Sequence, residues 1–215
     1  MKRRIRVWLM VLLAAPLASC TAWRVVTHRT SSDPVQAPAG RYRLDPPHWS
    51  VVFDVDHFGF SRFVMRFRQV SATVDLVPQN PEQSRVSAVI QAASVDTNDA
   101  ALDRLVQGPD MLDVEHFPQI RFESTALRRT AQATGEMTGN LTIHGRTRPV
   151  LLQVTYNGGA PNPLTRDYTL GFGATGAFDR SEFGLNAWFP AVGDQIRLSI
   201  QAEFAANGGG QVEGE

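Results

Sequence analysis

Residues 140–156 read NLTIHGRTRPVLLQVTY, and this stretch decides the fold. Val150, Leu152, Val154 and Tyr156 fall on one face, and Leu151, Gln153 and Thr155 on the other. Strict alternation with one apolar face marks an antiparallel strand with one wet side. Upstream, Met137, Leu141 and Ile143 share a face, which puts His144 on the opposite face with Thr142. Gly145 can adopt φ > 0 and Pro149 closes a corner, so residues 145–149 read as the turn between two strands. His144 then reads as a rim or surface residue, and Arg146 and Arg148 as solvated turn arginines.

The same alternation recurs along the chain. In 51–57, Val51, Phe53, Val55 and His57 oppose Val52, Asp54 and Asp56; in 168–178, Tyr168, Leu170, Phe172, Ala174 and Phe178 share a face. In 196–204 the apolar face is Ile196, Leu198, Ile200, Ala202 and Phe204. Further strands are expected at 41–45, 62–77, 85–97, 119–128 and 134–144. Eight or nine long strands with glycines at bends suit a closed barrel, which leaves no exposed edge. An eight-stranded barrel is just wide enough to be filled by side chains or to hold one small ligand. Periodicity alone leaves both open.

One segment breaks the pattern. In NDAALDRLVQGPDMLDVE (98–115), Asn98 is a candidate N-cap, Leu102, Leu105 and Val106 have helical spacing, and Gly108-Pro109 ends the helix. A second short turn is expected over 109–114.

The chain has 215 residues, 43% hydrophobic and 20% charged, which fits one globular domain with appendages. Its 21 basic and 21 acidic residues balance only because Lys2, Arg3, Arg4 and Arg6 crowd the start; without them 17 basic residues face 21 acidic ones, a net of −4. No basic stripe remains, which excludes nucleic acid as the expected partner. MKRRIR followed by VWLMVLLAAPLA has the charged and apolar regions of a secretory signal. The apolar run is shorter than the ~20 residues that span a bilayer. Leu17-Ala18-Ser19-Cys20 then resembles the lipobox of bacterial lipoproteins, and Cys20 is the only cysteine. We therefore expect residues 1–19 to be a lipoprotein signal peptide and Cys20 the lipid anchor. Residues 20–40 then form anchor and flexible tether, 41–205 the barrel and 206–215 a flexible tail. Thr21 is not the aspartate that retains lipoproteins at the inner membrane. The expected place is therefore the cell envelope, facing the periplasm, at the outer membrane.

Several blocks together resemble the YceI-like family. They are YRLD (42–45), FDVDHFG (53–59), SVDT (94–97), MLDVEHFPQIRFES (111–124), GNLTIHGRTRPV (139–150) and DRSEFG (179–184), in the family's order. Asn140, Arg104-Leu105 and Leu112 depart from the family's usual residues. The resemblance implies an all-β, lipocalin-like antiparallel barrel of about eight strands with a short helical insertion around residues 99–114. It also implies a long isoprenoid lipid, or the isoprenoid tail of a quinone, bound inside for storage, shielding or transport. It implies no enzymatic activity and no cofactor beyond such a lipid, and it allows a homodimer.

On that reading Phe53, Val55, His57, Phe63, Phe67, Phe122, Phe172, Phe178 and Trp188 are the candidate ligand-binding residues. His57 continues an apolar face, so it points inward, where it either is satisfied by a neighbour or meets a ligand head group. Pockets that are apolar with a few placed polar groups favour such an arrangement. Arg180 is expected to pin a loop through Asp179 or Glu182. The histidines lack paired metal-ligand spacing, Asp110, Asp113 and Glu115 do not form a calcium loop, and no nucleophile motif is present. A filled barrel that acts through a protein partner as a structural or stress-related envelope protein is the competing reading.

Overall fold

The computed structural model describes residues 23–206. The signal sequence, Cys20 and the tail beyond residue 206 lie outside the described residues. Ten strands follow in order: β1 Gly40–His57, β2 Ser61–Phe67, β3 Val70–Leu76, β4 Arg85–Gln91, β5 Val95–Asp96, β6 Gln119–Arg129, β7 Thr134–Ile143, β8 Arg146–Pro161, β9 Tyr168–Asp179 and β10 Gln195–Ala205. Every pairing is antiparallel, and β10 closes on β1.

The ten strands make eight staves. The first part of β1 pairs with β3 (Gly40↔Leu76 to Arg43↔Thr73), and the second part with β2 (Val51↔Phe67 to His57↔Ser61). β2 and β3 are thus one bent stave, broken at Arg68-Gln69. β4 and β5 form the next, since β4 pairs with β3 and β5 with β2. The expected strands 62–77 and 85–97 are therefore each interrupted, at Arg68-Gln69 and at residues 92–94. Conversely, 41–45 and 51–57 belong to one 18-residue strand. Asp45, Pro46, Pro47 and His48 bulge out between Leu44↔Phe204 and Trp49↔Ala202, because neither proline can donate to the ladder.

The turn in the opening stretch is tighter than the sequence suggests. Ile143 pairs with Arg146, so His144 and Gly145 alone make the turn, with φ of 50° and 69°. Positive φ at both central residues is the hairpin turn that matches strand twist. Arg146, Thr147, Arg148 and Pro149 already belong to β8. Pro149 is tolerated because β8 pairs with β9 only from Leu152 onward, so the missing N–H faces no neighbour. His144 is half-buried rather than a free rim residue, with the Phe117 ring edge-on at 4.6 Å.

Helix α1 spans Ala100–Gln107, and its N-cap is Asp99 rather than Asn98. The Asp99 carboxylate accepts from the Ala101 and Leu102 N–H groups at 2.7 and 3.0 Å, while Asn98 takes a left-handed φ of 64° to bring the chain into position. Asp103 accepts from the backbone N–H and hydroxyl of buried Thr97, both at 2.7 Å, which ties the helix to β5. Val106 is buried and Leu102 packs on the core, whereas Leu105 is exposed. Gly108 ends the helix, and residues 109–116 continue as turns. β5 pairs with β2 alone, so the helix and these turns occupy the chain between β5 and β6. At the opposite end of the barrel, residues 30–37 strap the start of the domain to β8, with Ser31 and Gly159 exchanging N–H···O bonds of 2.9 and 3.0 Å.

Replacing Asp99 by alanine orphans two helix N–H groups and is expected to cost about 1 kcal/mol of stability. Urea unfolding checks this: the midpoint should fall with an unchanged m-value.

Candidate functional site

The inward faces of all eight staves enclose an apolar cavity of about 440 Å³. The barrel is therefore hollow, and the reason is visible in the wall. Ala72 faces Ala88 across the β3–β4 ladder, and Ala88 in turn faces Phe122 on β6. Ala174 lies between Val154 and Ile200, and Ala202 opposite Phe172. Alanine at these inward positions leaves room that leucine or valine would take. Gly139 does the same by a close approach: a Cβ there would lie 2.2 Å from the Phe122 ring. The ring instead takes the space beside the β7 backbone that a side chain at 139 would need.

Each sequence-predicted residue can now be placed. Phe53, Val55, His57, Phe63, Phe67, Phe122, Phe172, Phe178 and Trp188 all line the cavity. Phe53 stacks on Phe67 with centroids 5.1 Å apart, and Phe178 meets buried Phe183 edge-on at 5.1 Å. Toward the other end, Phe172 bridges Tyr156 and Phe204 at 5.4 and 6.1 Å. Phe53, Phe63, Phe122, Phe172 and Phe178 point inward yet remain half-buried. That residual exposure is cavity wall, open to an apolar guest.

Two ends can be distinguished. At one, exposed Arg128 and Arg129 from the end of β6 and Gln132 from the β6–β7 turn reach the cavity rim, together with Pro78 and Pro81. Nearby, the Tyr156 hydroxyl is buried with no hydrogen-bond partner among the described residues, and burial is the main cause that pushes its pKa up to about 12. At the other end, α1 contributes Leu102 and Val106, the following turn Met111 and Leu112, and the 184–194 loop Leu185, Trp188 and Val192. His57 sits here, paired through its backbone to Val192, with its ring against Phe58 and Phe63 at 4.6 and 6.0 Å.

Arg180 holds that loop, by a route the sequence did not indicate. Its guanidinium donates to the carbonyls of Gly193, Leu185 and Val192 at 2.8, 2.5 and 2.8 Å. Asp179 and Glu182 are not its partners. Asp179 opens the 3₁₀ turn of residues 180–183 outward, and Gly184, at φ 81°, turns the chain back under the Arg146 guanidinium. Asp194 is engaged elsewhere, accepting from the Ser181 N–H at 2.8 Å and its hydroxyl at 2.6 Å. Arg180 is only 4% exposed, and burial lowers its pKa from the usual arginine range.

The cavity residues missed from sequence are those of α1 and the 111–112 turn, whose apolar helical face signalled burial but not cavity lining, and the inward alanines. Outside the cavity, the β1 bulge brings Asp45, His48 and Glu203 together, a grouping that histidine spacing did not reveal. The His48 Nδ1 lies 2.7 Å from Asp45, and that hydrogen bond raises the imidazole pKa. These groups are an ion-paired surface cluster, and none of them lines the cavity.

Comparison with known proteins places the architecture. A family model described as YceI-like domain matches residues 42–204. A UPF0312 protein of Pseudomonas savastanoi pv. phaseolicola is 34% identical over 170 residues, covering 78% of this chain and 88% of that protein. Among solved structures, Campylobacter jejuni YceI matches with a TM-score of 0.64 at 26% identity, covering 70% of this chain and 88% of that one. Burkholderia cenocepacia BcnA matches with a TM-score of 0.68 at 24% identity, over 74% and 98% of the two chains. A polyisoprenoid-binding domain of Saccharophagus degradans shares the fold at 9% identity, with a TM-score of 0.58 over 79% and 99%.

Filling the cavity separates wall from guest. Ala174→Phe projects a ring into the empty space between Val154 and Ile200. It is expected to leave the barrel folded while cutting uptake of a long apolar ligand at least about tenfold, the scale set by displacing a few buried methylenes. Circular dichroism and ligand titration in parallel check both halves.

Proposed function

We propose that this chain, which belongs to the YceI-like family, holds a long isoprenoid lipid, or the isoprenoid tail of a quinone, inside its barrel. The observation that carries the reading is the cavity itself: apolar, about 440 Å³, and walled by large hydrophobic side chains left accessible on their inner side. Each buried CH₂ contributes ~0.8 kcal/mol, so a branched hydrocarbon chain binds here with little polar recognition. The polyisoprenoid-binding domain named among the structural neighbours supports the same ligand class. His57, at the Trp188 end, is a polar wall group placed to meet a ligand head group there. Nothing in the wall requires chemistry, so the role is to store, shield or carry the lipid. A barrel of this kind on a lipidated Cys20 would work at the periplasmic face of the outer membrane.

Native mass spectrometry with organic extraction tests the ligand on protein secreted through its own signal. A stoichiometric extra mass that extracts as an isoprenoid is the expected result. A clean apo mass, with no uptake of added quinone or polyprenol, would reject the reading and favour a protein partner. The anchor is tested separately. Cys20→Ala is expected to move the protein from the membrane to the soluble fraction, and persistent membrane association would count against lipidation.

A further inference from the structure

The Trp188 end of the cavity contains a cation that the protein does not pair. Arg180 is 4% exposed and lines a cavity whose inner surface is almost wholly apolar. Among the described residues it forms no ion pair within 4.0 Å, and its hydrogen bonds run only to the three loop carbonyls. An arginine carries five N–H donors, so two remain, on the terminal nitrogens. Asp194, the carboxylate whose charge acts on Arg180, already accepts from Ser181 with both oxygens. Carbonyl dipoles satisfy N–H groups but do not neutralise a charge, and a charge in apolar surroundings is costly until an opposite one joins it. A planar guanidinium also suits the paired oxygens of a phosphate or carboxylate. The second polar wall residue at this end, His57, borders the same loop residue, Val192, whose carbonyl Arg180 holds.

We propose that Arg180 is the head-group site: the ligand is an acidic amphiphile whose phosphate or carboxylate pairs with this guanidinium beneath the 184–194 loop, its apolar chain running down the barrel. This rests on the reading that the barrel holds a lipid chain, and it narrows that reading to acid-headed lipids. The shared chemistry is a doubly oxygenated anion on a hydrocarbon, whether isoprenyl phosphate or fatty acid.

The test is a matched set of titrations on the full-length mature protein after lipid extraction. Geranylgeranyl phosphate is compared with geranylgeraniol, and palmitate with hexadecanol. Wild-type protein should prefer the acid of each bound pair by about tenfold or more, as charge-assisted hydrogen bonds would provide. Arg180→Gln should erase that preference, read as the ratio of acid to alcohol affinity so that any effect of the freed loop carbonyls on both ligands cancels, and Arg180→Lys should retain part of it. Should Arg180→Gln not fold, the wild-type comparison still decides. Equal affinity for acid and alcohol would overturn the assignment and leave the isoprenoid reading standing. Palmitate preferred while neither isoprenoid binds would uphold Arg180 and remove the isoprenoid chain. No binding by any of the four would reject both. Inorganic phosphate is the control for a free anion: it should not compete at concentrations where geranylgeranyl phosphate saturates. Competition as strong as that of the lipid would overturn the proposal in favour of a simple anion site.

Discussion

The ladder between β1 and β10 is the constraint on which the rest depends. Eight residue pairs, from Arg43↔Ala205 to Asp54↔Arg197, join the first strand to the last. With that ladder formed, every stave has a neighbour on both sides, and the inner faces must meet around one axis. Without it, β1 and β10 would each expose a row of unpaired backbone groups. Closure also fixes the interior. With eight staves, the space inside is of the size that side chains can just fill, so filling is decided by a few small residues. Ala72, Ala88, Ala174 and Ala202, with Gly139 under the Phe122 ring, decide it in favour of a cavity.

Closure has local costs that the chain meets in identifiable ways. Two staves kink, at Arg68-Gln69 and at residues 92–94. The first kink is held by Arg68, which pairs with Asp96 on the neighbouring stave at 2.7 Å. β1 relieves its curvature at the Asp45–His48 bulge, where two prolines remove donors that would otherwise go unmatched. On the outer face beside closure, Asp54 accepts from Arg62 on β2 and from Arg197 on β10, so one carboxylate spans three adjacent staves. These pairs are partly exposed and each adds little stability, yet they sit where register errors would be most damaging.

Most of this architecture was legible in the sequence because strand periodicity is strict. The inward sets in 51–57, 150–156, 168–178 and 196–204 are the sets found facing inward, since a slip of one residue would turn every apolar side chain to water. The breaks in 62–77 and 85–97 were not legible, because a kink follows from curvature of the closed sheet, which no local pattern encodes. From sequence the turn reads as residues 145–149, but it is His144-Gly145 alone: Gly145 advertises φ > 0, whereas histidine in the same region does not, and nothing local shows that 146–149 already pair. Asp99 and Asn98 are equally good caps on paper, and only the geometry of the chain leaving β5 selects the aspartate. The cavity was half legible. Its aromatic lining follows from periodicity, but emptiness depends on how alanines from different strands meet across the ladders. The role of Arg180 was hidden for a related reason. Its partners are backbone carbonyls of residues 185, 192 and 193, and a carbonyl has no signature in sequence.

The two ends of the barrel are built for different tasks. One is strapped: residues 30–37 cross β8, Gln79 donates to the Val35 carbonyl, and the Tyr42 hydroxyl donates to the Pro38 carbonyl at 2.7 Å. The other is covered by α1, the turns that follow it and a loop whose carbonyls converge on one side chain. The backbone there is also bound to β1, with the Phe58 N–H donating to Ala191 at 2.8 Å and Gly193 donating to Asp56 at 2.9 Å. Arg180 supplies three of the bonds that hold this loop, beside those to Asp56 and Phe58 and the two from Ser181 to Asp194. Phe58, Phe60, Trp188 and Phe189 stand exposed around it, so apolar surface continues from the cavity to the outside. A hydrocarbon chain gains nearly the same free energy anywhere along such a wall, which gives affinity without orientation. Orientation has to come from a polar group at a fixed depth. On the proposed reading, His57 and Arg180, which both meet the loop at Val192, make that end the place where the direction of a bound chain would be set.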